Sequence, residues 1–531
     1  MLYSESRQGG KKNPSALSLA LLAFFSSLIL GCTDSISLNH QHLSLDAFNE
    51  VKVDNYSLNP QLFQEELETL CKKHTGNSTI NKFMHRHYEN GGVPVWVDKW
   101  GVDSRADSLL RILESESAEM GFRSSVFHIS DIKADLDKVR TLAYEQEGEA
   151  SKVLARLEYN LNNAYLTYVT GQRFGFVNPH HVLNRYDVRE ADSTGRRIIY
   201  RRLYDVDIES PTDSFFHVAM ASATIDGLGD FLRQSEPKTE LYNRLRQMLH
   251  NTNEGERQKI LVNMERCRWR DKQSVQGYPK YVVVNVPAFH LWAVGPDSVM
   301  TMRVACGALK TKTPLLSSQI TYMQVNPEWS IPMSIINNDV ARHGGDSGYF
   351  SRHRYYIADR KTGKRVSPTA VSAAMLRSGN YRVAQEGGAG NSLGRIVFRF
   401  PNNFSVYLHD TSSPSVFQRD DRSVSHGCVR VQRPFDLAVF MMDNPDEWLL
   451  DKVRISMGIK PETKRGRDYL DQLSPSVKTP QHVRSLSVSP RVPLFITYYT
   501  IFLAPDGSLH HYSDVYGYDK AISESLKPFA E

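Results

Sequence analysis

Hydrophobic residues recur with a helical period in the first half of the chain and with a strand-like pattern in much of the second half. The helical period is clearest where apolar residues step at i, i+4, i+7 and i+8, in Leu241, Leu245, Met248 and Leu249. Residues 279–326 are rich in β-forming side chains, and apolar residues alternate with others over 404–408. The pattern predicts a mostly helical N-terminal domain followed by a β-rich domain, which is an α+β fold.

The first 32 residues do not fit this pattern, and we predict that they are an export signal. A basic start leads into an apolar segment, residues 16–30, which is too short for a typical membrane span. The segment ends in Ile29-Leu30-Gly31-Cys32, the form of a bacterial lipobox. We therefore expect Cys32 to carry lipid and to tether the mature chain to a membrane, with an uncleaved anchor as the alternative.

The residues after Cys32 bear on the location of the protein, and its overall charge bears on its partners. Thr33 gives no clear inner-membrane retention signal, so a periplasmic location is expected, with the outer membrane slightly preferred. Residues 33–60 are polar and weakly patterned, which is typical of a tether. The net charge of +5 is spread along 531 residues, so the composition does not favour nucleic acid as a partner. A chain of this length can form two or three domains with real cores.

The candidate chemistry lies in one short segment. It holds the tetrapeptide Ser425-His426-Gly427-Cys428, preceded by a second histidine, His409. A thiol attacks as its thiolate, and a neighbouring imidazole can accept the proton. We therefore predict Cys428 as the nucleophile and His409, at the end of a strand, as the general base. Gly427 lets the backbone approach a substrate closely, and the N–H groups of His426, Gly427 and Cys428 are candidates for an oxyanion hole.

Arg430, two residues after Cys428, is a candidate for binding a substrate carboxylate. Other interpretations stay open, because a lone cysteine is usually a small buried residue and a lone histidine a structural one. His409, His426 and Cys428 are also candidates for three metal ligands, although no further Cys or His follows closely. The remaining cysteines show no disulfide or zinc spacing and are predicted to be buried thiols, with one disulfide left open: Cys71, Cys267 and Cys306.

His409, then fifteen residues, then Ser425-His426-Gly427-Cys428, resembles the signature of the L,D-transpeptidase catalytic domain (YkuD-type). The family often has asparagine two residues after the cysteine. The arginine at this position, Arg430, resembles the large multidomain YcbB-like branch instead. Further segments resemble that branch in order: 281–289, 302–304, 313–314, 320–322, 326–329 and 391–395. The chain departs from the branch in two places, since 385–388 lacks the usual proline and no small peptidoglycan-binding module is found between 180 and 270.

The patterns and this resemblance together divide the chain into a signal peptide (1–32), a tether (33–60), a helical scaffold domain (61–270), a β-sandwich-like catalytic domain (279–463) with a capping segment (about 328–384), a flexible linker (464–490) and a terminal hairpin (491–531). An ordinary surface insertion is the alternative for the capping segment. A lid with glycine-rich hinges over a substrate cleft is what the resemblance implies there.

The resemblance implies an acyltransferase that forms 3→3 cross-links between peptidoglycan stem peptides in cell-wall biogenesis. Cys428 would attack the carbonyl of the third stem residue, with His409 as base, oriented through its other ring nitrogen by a backbone carbonyl. Ser425 and His426 would shape the loop, and the substrate would be bound by Arg430, Tyr407, Asn391 and Trp329. No metal or organic cofactor is expected. The rival hypotheses are an L,D-carboxypeptidase, an enzyme that joins protein to peptidoglycan, and a non-catalytic wall-binding scaffold.

Overall fold

The computed structural model describes residues 57–73, 78–191, 198–250, 252–473 and 482–530. The helices are α1 (Pro60–Lys73), α2 (Thr79–Glu89), α3 (Ser104–Met120), α4 (Ile129–Thr141), α5 (Glu149–Phe174), α6 (Pro179–Leu183), α7 (Asp213–Ser222), α8 (Leu228–Ser235), α9 (Glu240–Leu249), α10 (Glu254–Arg268), α11 (Met333–Ile335), α12 (Ser347–Arg352), α13 (Ala373–Arg377), α14 (Pro434–Met441), α15 (Glu447–Ser456), α16 (Lys464–Asp471) and α17 (Tyr518–Leu526). None of the helices in these ranges is both long and apolar enough to cross a membrane.

The strands are β1 (Val97–Asp98), β2 (Gly101–Val102), β3 (Val188–Ala191), β4 (Ile198–Tyr200), β5 (Tyr204–Asp205), β6 (Tyr281–Asn285), β7 (His290–Val294), β8 (Val299–Gly307), β9 (Leu315–Val325), β10 (Trp329–Ser330), β11 (Tyr355–Asp359), β12 (Arg365–Val366), β13 (Tyr381–Gln385), β14 (Ile396–Arg399), β15 (Leu408–His409), β16 (Ser423–Ser425), β17 (Val429–Val431), β18 (Ser485–Thr497), β19 (Ile501–Leu503) and β20 (Leu509–His511). The predicted signal peptide, with Cys32, and most of the tether lie outside the described residues.

The described residues up to Val169, together with Thr212–Ser235, form one compact and mainly helical unit. α5 is buried on almost all sides, and α3 shows how a helix of this unit begins and ends. The side chain of Asp103 caps α3 by accepting a hydrogen bond from the Arg105 N–H, and the helix ends at Gly121, which has φ 65°.

A buried carboxylate lies at the centre of this unit. Glu158 of α5 is fully buried and accepts hydrogen bonds from the backbone N–H groups of Val95 (2.8 Å), Trp96 (2.8 Å) and Val97 (3.2 Å). The Tyr88 hydroxyl donates to the same carboxylate at 2.6 Å. These four donors compensate the cost of burying the charge and attach the segment before β1 to α5.

The second unit comprises Thr170–Pro211 and the residues from Glu236 onwards, and its main sheet closes on itself. The strand order is β14–β15–β17–β8–β7–β6–β18–β9, and β9 pairs back with β14. β5 is added beside β9, and β16 beside β8. The predicted α+β fold with a β-rich, sandwich-like domain is therefore confirmed.

The inner and outer faces of this sheet have different surroundings. Alternate residues such as Val282, Val284 and Phe398 point inward into one large apolar core. On the outside of β6, β7 and β18, a second apolar cluster packs beneath the β19–β20 hairpin, where the rings of Trp292 and Phe502 lie 4.8 Å apart. The outer face of β14, β15 and β17 carries the predicted functional residues.

The segment between β9 and β14 is a small subdomain with its own core. Strands β10, β13, β11 and β12 form a four-stranded antiparallel sheet in that order. Buried residues of this sheet and of the short helices beside it, including Ile331, Phe350, Ile357 and Val383, form a separate apolar cluster. This subdomain occupies the position of the predicted capping segment.

The predicted flexible linker at 464–490 is wrong at both ends. Thr463 caps α16, because its Oγ1 accepts a hydrogen bond from the Gly466 N–H at 3.0 Å, and Tyr469 of this helix packs against Trp448. Residues Ser485 to Ser487 already belong to β18 and pair with β9. The intervening residues, 474–481, lie outside the described part of the chain.

Two further boundaries differ from the sequence-based expectation. Part of the predicted scaffold segment 61–270 lies in the second unit, where β5 pairs with β9 through Tyr204 and Leu315. The strand predicted at 404–408 is shorter in the structure, where β15 begins only at Leu408. Ser405 has φ 55°, and the Val406 N–H donates a hydrogen bond to the side chain of Asn402 (3.2 Å) instead of to a neighbouring strand.

Candidate active site

Two parallel strands, β15 and β17, bring the predicted nucleophile and base to one surface. His409 is in register with Arg430, and Leu408 with Val429. Paired residues on neighbouring strands project to the same side, and so do residues two apart along one strand. Cys428 and His409 therefore share a face with Arg430, whereas Leu408 and Val429 point into the core and are almost completely buried.

β14 extends the same face on the other side of β15. Val397 is in register with His409, which places Arg399, two residues on, beside Tyr407. The guanidinium carbon of Arg399 lies 4.0 Å from the centre of the Tyr407 ring. The Tyr407 carbonyl accepts a hydrogen bond of 2.9 Å from the backbone N–H of Val429, the residue after Cys428. Arg399, Tyr407 and Cys428 thus form one row across three strands, with His409 in the next row.

The Ser425–Cys428 loop is held in shape by its own serine. Ser425 is buried, and its Oγ donates to the Cys428 carbonyl (2.5 Å) and accepts from the Gly427 N–H (3.1 Å). Gly427 has φ 114°, a conformation that side chains with a Cβ rarely adopt. Since the Gly427 N–H is already bonded, its predicted part in an oxyanion hole is wrong for this conformation. The N–H groups of His426 and Cys428 stay the candidates.

Two threonines in the segment between β8 and β9 form hydrogen bonds with the Ser425–Cys428 loop. Thr311 Oγ1 donates to the Ser425 carbonyl at 2.8 Å. Thr313 Oγ1 donates to the Gly427 carbonyl at 3.0 Å and accepts from the Gly307 N–H at 2.8 Å. Threonine hydroxyls therefore fix two of the three loop carbonyls before Cys428, those of Ser425 and Gly427, and so restrict where Cys428 can lie.

Burial and the nearby arginines set the protonation states. Burial raises the pKa of the Cys428 thiol, while a backbone hydrogen bond at Tyr407 and the charges of Arg399 and Arg430 oppose the rise. Burial, assisted by the Arg430 charge, lowers the pKa of His409 to about 4. At neutral pH the site therefore holds a thiol and a neutral imidazole, not the ion pair that a thiol–imidazole motif can form. A neutral imidazole is able to accept a proton, as a general base must.

The orientation of the His409 ring by a backbone carbonyl stays a prediction. His409 is 4% exposed, and its Nδ1 atom is buried without a hydrogen-bond partner among the described residues. Backbone groups of Asp410 and Leu393 act to raise the pKa of the ring, but neither forms a well-aligned hydrogen bond with Nδ1.

The other predicted residues lie at different distances from this face. His426 is exposed on the loop. Asn391 is fully buried, and its side chain donates to the Glu386 carbonyl (3.0 Å) and accepts from the Leu393 N–H (2.8 Å). Trp329 lies on β10 and packs against the core of the capping subdomain. Asn391 thus holds the turn before β14, and substrate contact by Asn391 and Trp329 stays a prediction.

The cysteines of the described residues are all free thiols: Cys71, Cys267, Cys306 and Cys428. Burial raises the pKa of the first three to about 12, so they are poor nucleophiles. In the described ranges, no group of three or more His, Cys, Asp or Glu side chains is arranged to hold a metal ion.

Sequence reasoning missed the residues that support the site from distant segments. Besides Thr311 and Thr313, Tyr516 supports the loop. Its hydroxyl donates to the Gly307 carbonyl at 2.6 Å and accepts from the Thr313 N–H at 3.1 Å. Arg422 is buried and donates to the carbonyls of Val304 (3.1 Å) and Phe289 (3.2 Å). Neither residue lies in a recognisable motif, so only the folded chain could identify them.

Comparisons with known proteins agree with this geometry. The YkuD family, described as the L,D-transpeptidase catalytic domain, matches residues 279–455, and the Scaffold domain family matches residues 82–249. A Haemophilus influenzae protein named "Putative L,D-transpeptidase" is 28% identical over 269 residues, which are 50% of this chain. The match spans about half of that relative, 49% of its length.

The Ser-His-Gly-Cys loop and most strands of the closed sheet lie within the residues that match the L,D-transpeptidase catalytic domain family. Together with the Scaffold domain in the same chain, this match gives the YcbB-like architecture of that family, as the sequence resemblance predicted.

Proposed function

We propose that the protein is a peptidoglycan L,D-transpeptidase that forms 3→3 cross-links through an acyl-enzyme on Cys428. The observation that carries the proposal is the shared face of β15 and β17, on which Cys428, His409 and Arg430 lie together within a domain of this family. From the strand spacing, the Cα atoms of His409 and Cys428 are about 8 Å apart, which side chains on one face can bridge.

The first half of the reaction consumes the donor stem. The Cys428 thiol gives its proton to the neutral His409 imidazole, and the sulfur attacks the carbonyl of the third stem residue. The N–H groups of Cys428 and His426 stabilise the oxyanion. The bond to the terminal D-alanine breaks, and its amine leaves with the proton from His409. A thioester between the stem and Cys428 is formed.

The second half uses an amine of the third residue on another stem. This amine attacks the thioester carbonyl and passes its proton to His409, and the Cys428 sulfur leaves and regains a proton. The raised thiol pKa makes sulfur a poor resting anion, so we expect proton transfer to accompany substrate attack rather than to precede it. No step requires a metal or an organic cofactor.

The acceptor distinguishes the rival activities. Water in place of the amine gives an L,D-carboxypeptidase, and a protein amine gives attachment of that protein to peptidoglycan. A non-catalytic wall-binding scaffold would leave the thiol and imidazole unused. Transpeptidation is favoured because residues 279–455, which include Cys428 and His409, match the family described as the L,D-transpeptidase catalytic domain.

The test is mass spectrometry of a purified disaccharide-tetrapeptide incubated with wild type and with Cys428→Ala. Dimers of a tetrapeptide and a tripeptide, made by wild type alone, are the expected result. Tripeptide monomers alone would establish the carboxypeptidase instead. If a folded wild type yields no product that depends on Cys428, the transpeptidase proposal fails. A carbapenem should add its mass to wild type and not to Cys428→Ala.

The proposed location is the periplasm, with the chain held on a membrane by lipid at Cys32 and the outer membrane preferred. The support is the lipobox-like Ile29-Leu30-Gly31-Cys32 and the polar tether after it. We expect detergent to be needed to extract wild type from cells and not Cys32→Ser. A mature N-terminus without a lipid mass on Cys32 would contradict the anchor.

A further inference from the structure

Two arginines on the active-site face lack a counter-charge. Neither Arg399 nor Arg430 forms an ion pair among the described residues, and each has a buried Nε–H without a hydrogen-bond partner there. Arg399 makes one side-chain bond, from Nη2 to the Gln324 Oε1 atom at 3.2 Å. An unsatisfied buried donor is costly, and more so when it is charged.

Three buried arginines elsewhere in the same unit pair with carboxylates, whereas buried Arg422 bonds to backbone carbonyls instead. Arg266 bonds to Asp519 at 2.6 Å, Arg268 to Glu265 at 3.2 Å, and Arg454 to Asp451 at 3.0 Å. At the active-site face, by contrast, neither an acid nor a carbonyl of the described residues accepts the Nε–H of Arg399 or Arg430.

The carboxylate of the active-site region is committed elsewhere. Asp410 follows His409 in sequence, but its two oxygens accept hydrogen bonds from the backbone N–H groups of Arg395 (2.8 Å) and Thr411 (2.7 Å). The cationic pair thus remains available for an anion that the protein itself does not supply.

The strand register places both arginines on the same face as the thiol, Arg399 across the strands and Arg430 along β17. Arg399 occupies the row of Tyr407 and Cys428, and Arg430 lies two residues beyond Cys428 on the same face. Tyr407 supports the first guanidinium, whose carbon lies 4.0 Å from the ring centre. An anion bound between them would lie close to the sulfur.

We propose that Arg399 and Arg430 form a carboxylate subsite that binds the free terminal carboxylate of the donor stem, so that the enzyme selects a stem ending in an acid over one ending in an amide. The proposal rests on the transpeptidase function above. In a donor held at Cys428, the terminal carboxyl carbon is three bonds from the scissile carbonyl carbon. Guanidinium groups suit such a ligand because they bind carboxylates with paired hydrogen bonds.

Alkylation of Cys428 by iodoacetate and by iodoacetamide tests the subsite without turnover. In both reactions the thiolate sulfur bonds to the CH₂ carbon and iodide leaves, and only the charge of the reagent differs. A change in thiol pKa alters both rates equally, so the ratio of the two rates isolates recognition of the carboxylate. The rates are measured by mass spectrometry of the peptide that contains Cys428.

We expect Arg399→Gln and Arg430→Gln each to lower the iodoacetate-to-iodoacetamide ratio about tenfold, the loss expected for a charged hydrogen bond. The matched control is Arg484→Gln, which removes an exposed arginine just before β18 and should leave the ratio unchanged. Two separate arginine variants guard against one that does not fold.

An unchanged ratio in a folded Arg399→Gln protein, or an equal fall in Arg484→Gln, overturns the subsite. A companion assay compares donor stems that end in a free acid or in an amide. Wild type should prefer the acid, and Arg399→Gln should lose that preference mainly through KM. If the ratio shifts but no cross-links form, the subsite holds and the transpeptidase proposal fails. If cross-links form and the ratio does not shift, the reverse is true.

Discussion

Replacing Thr313 by valine tests whether the catalytic loop depends on one hydroxyl. Thr313 is fully buried, and valine has nearly the same shape, so the substitution creates little cavity. It removes the acceptor of the Gly307 N–H (2.8 Å) and the donor to the Gly427 carbonyl (3.0 Å). Each buried backbone group left unsatisfied costs about 1–3 kcal/mol, so the loss of two bonds should cost about 2–6 kcal/mol.

The assay follows the urea-dependent exposure of Cys428 to a thiol reagent, because this reports the unit that contains the loop. Thr313→Ser is the matched control, since it keeps the hydroxyl and loses only a methyl group, at a cost of about 1 kcal/mol. Under native conditions, the valine variant should also show slower cross-linking as the Gly427 carbonyl is released. Equal losses for Thr313→Val and Thr313→Ser would refute the reasoning.

Three further outcomes follow from the structure. Because burial lowers the pKa of His409 to about 4, kcat/KM should keep its acid limb near that value and not near 6.5. The unfolded histidine binds its proton at about 6.5, so the unit should lose up to about 3 kcal/mol of stability as pH falls from 6.5 to 4. Gly427→Ala places a Cβ 3.4 Å from Val406 Cγ1, an ordinary contact, but the φ of 114° adds strain of about 1–3 kcal/mol, and the Tm should fall. Glu158→Ala leaves four donors without their acceptor in the helical unit and should cost at least about 3 kcal/mol, measured by circular dichroism.

The controls for these outcomes use matched positions. His409→Ala should abolish the activity whose acid limb is assigned to the imidazole; retained activity with the same limb would contradict that assignment. Gly363→Ala, in an open turn with φ 70°, should cost less than Gly427→Ala. Glu65→Ala removes an exposed carboxylate from α1 and should change stability by less than about 0.5 kcal/mol. A similar loss from Glu65→Ala and Glu158→Ala would refute the role given to the buried carboxylate.

Local patterns were sufficient for the parts of the protein that are encoded by neighbours in sequence. The helical period predicted α9, and the apolar and β-branched residues around 281–289 predicted the first strands of the closed sheet. The pairing of His409 with the Ser-His-Gly-Cys loop was also visible, because their chemistry is specific and their spacing short. The pattern failed at 464–471, where a cap at Thr463 and contact with Trp448 stabilise a helix in a polar segment.

By itself, then, the sequence determined the fold class, the family and the identity of the candidate thiol and imidazole, since each depends on residue types at short range. The tertiary structure alone decided that Arg399 lies in the row of Cys428 and that Thr313 holds the Gly427 carbonyl. These facts depend on strand register and on hydrogen bonds between segments up to 114 residues apart. Register is set by how the whole sheet buries its core, so no single stretch of sequence contains it.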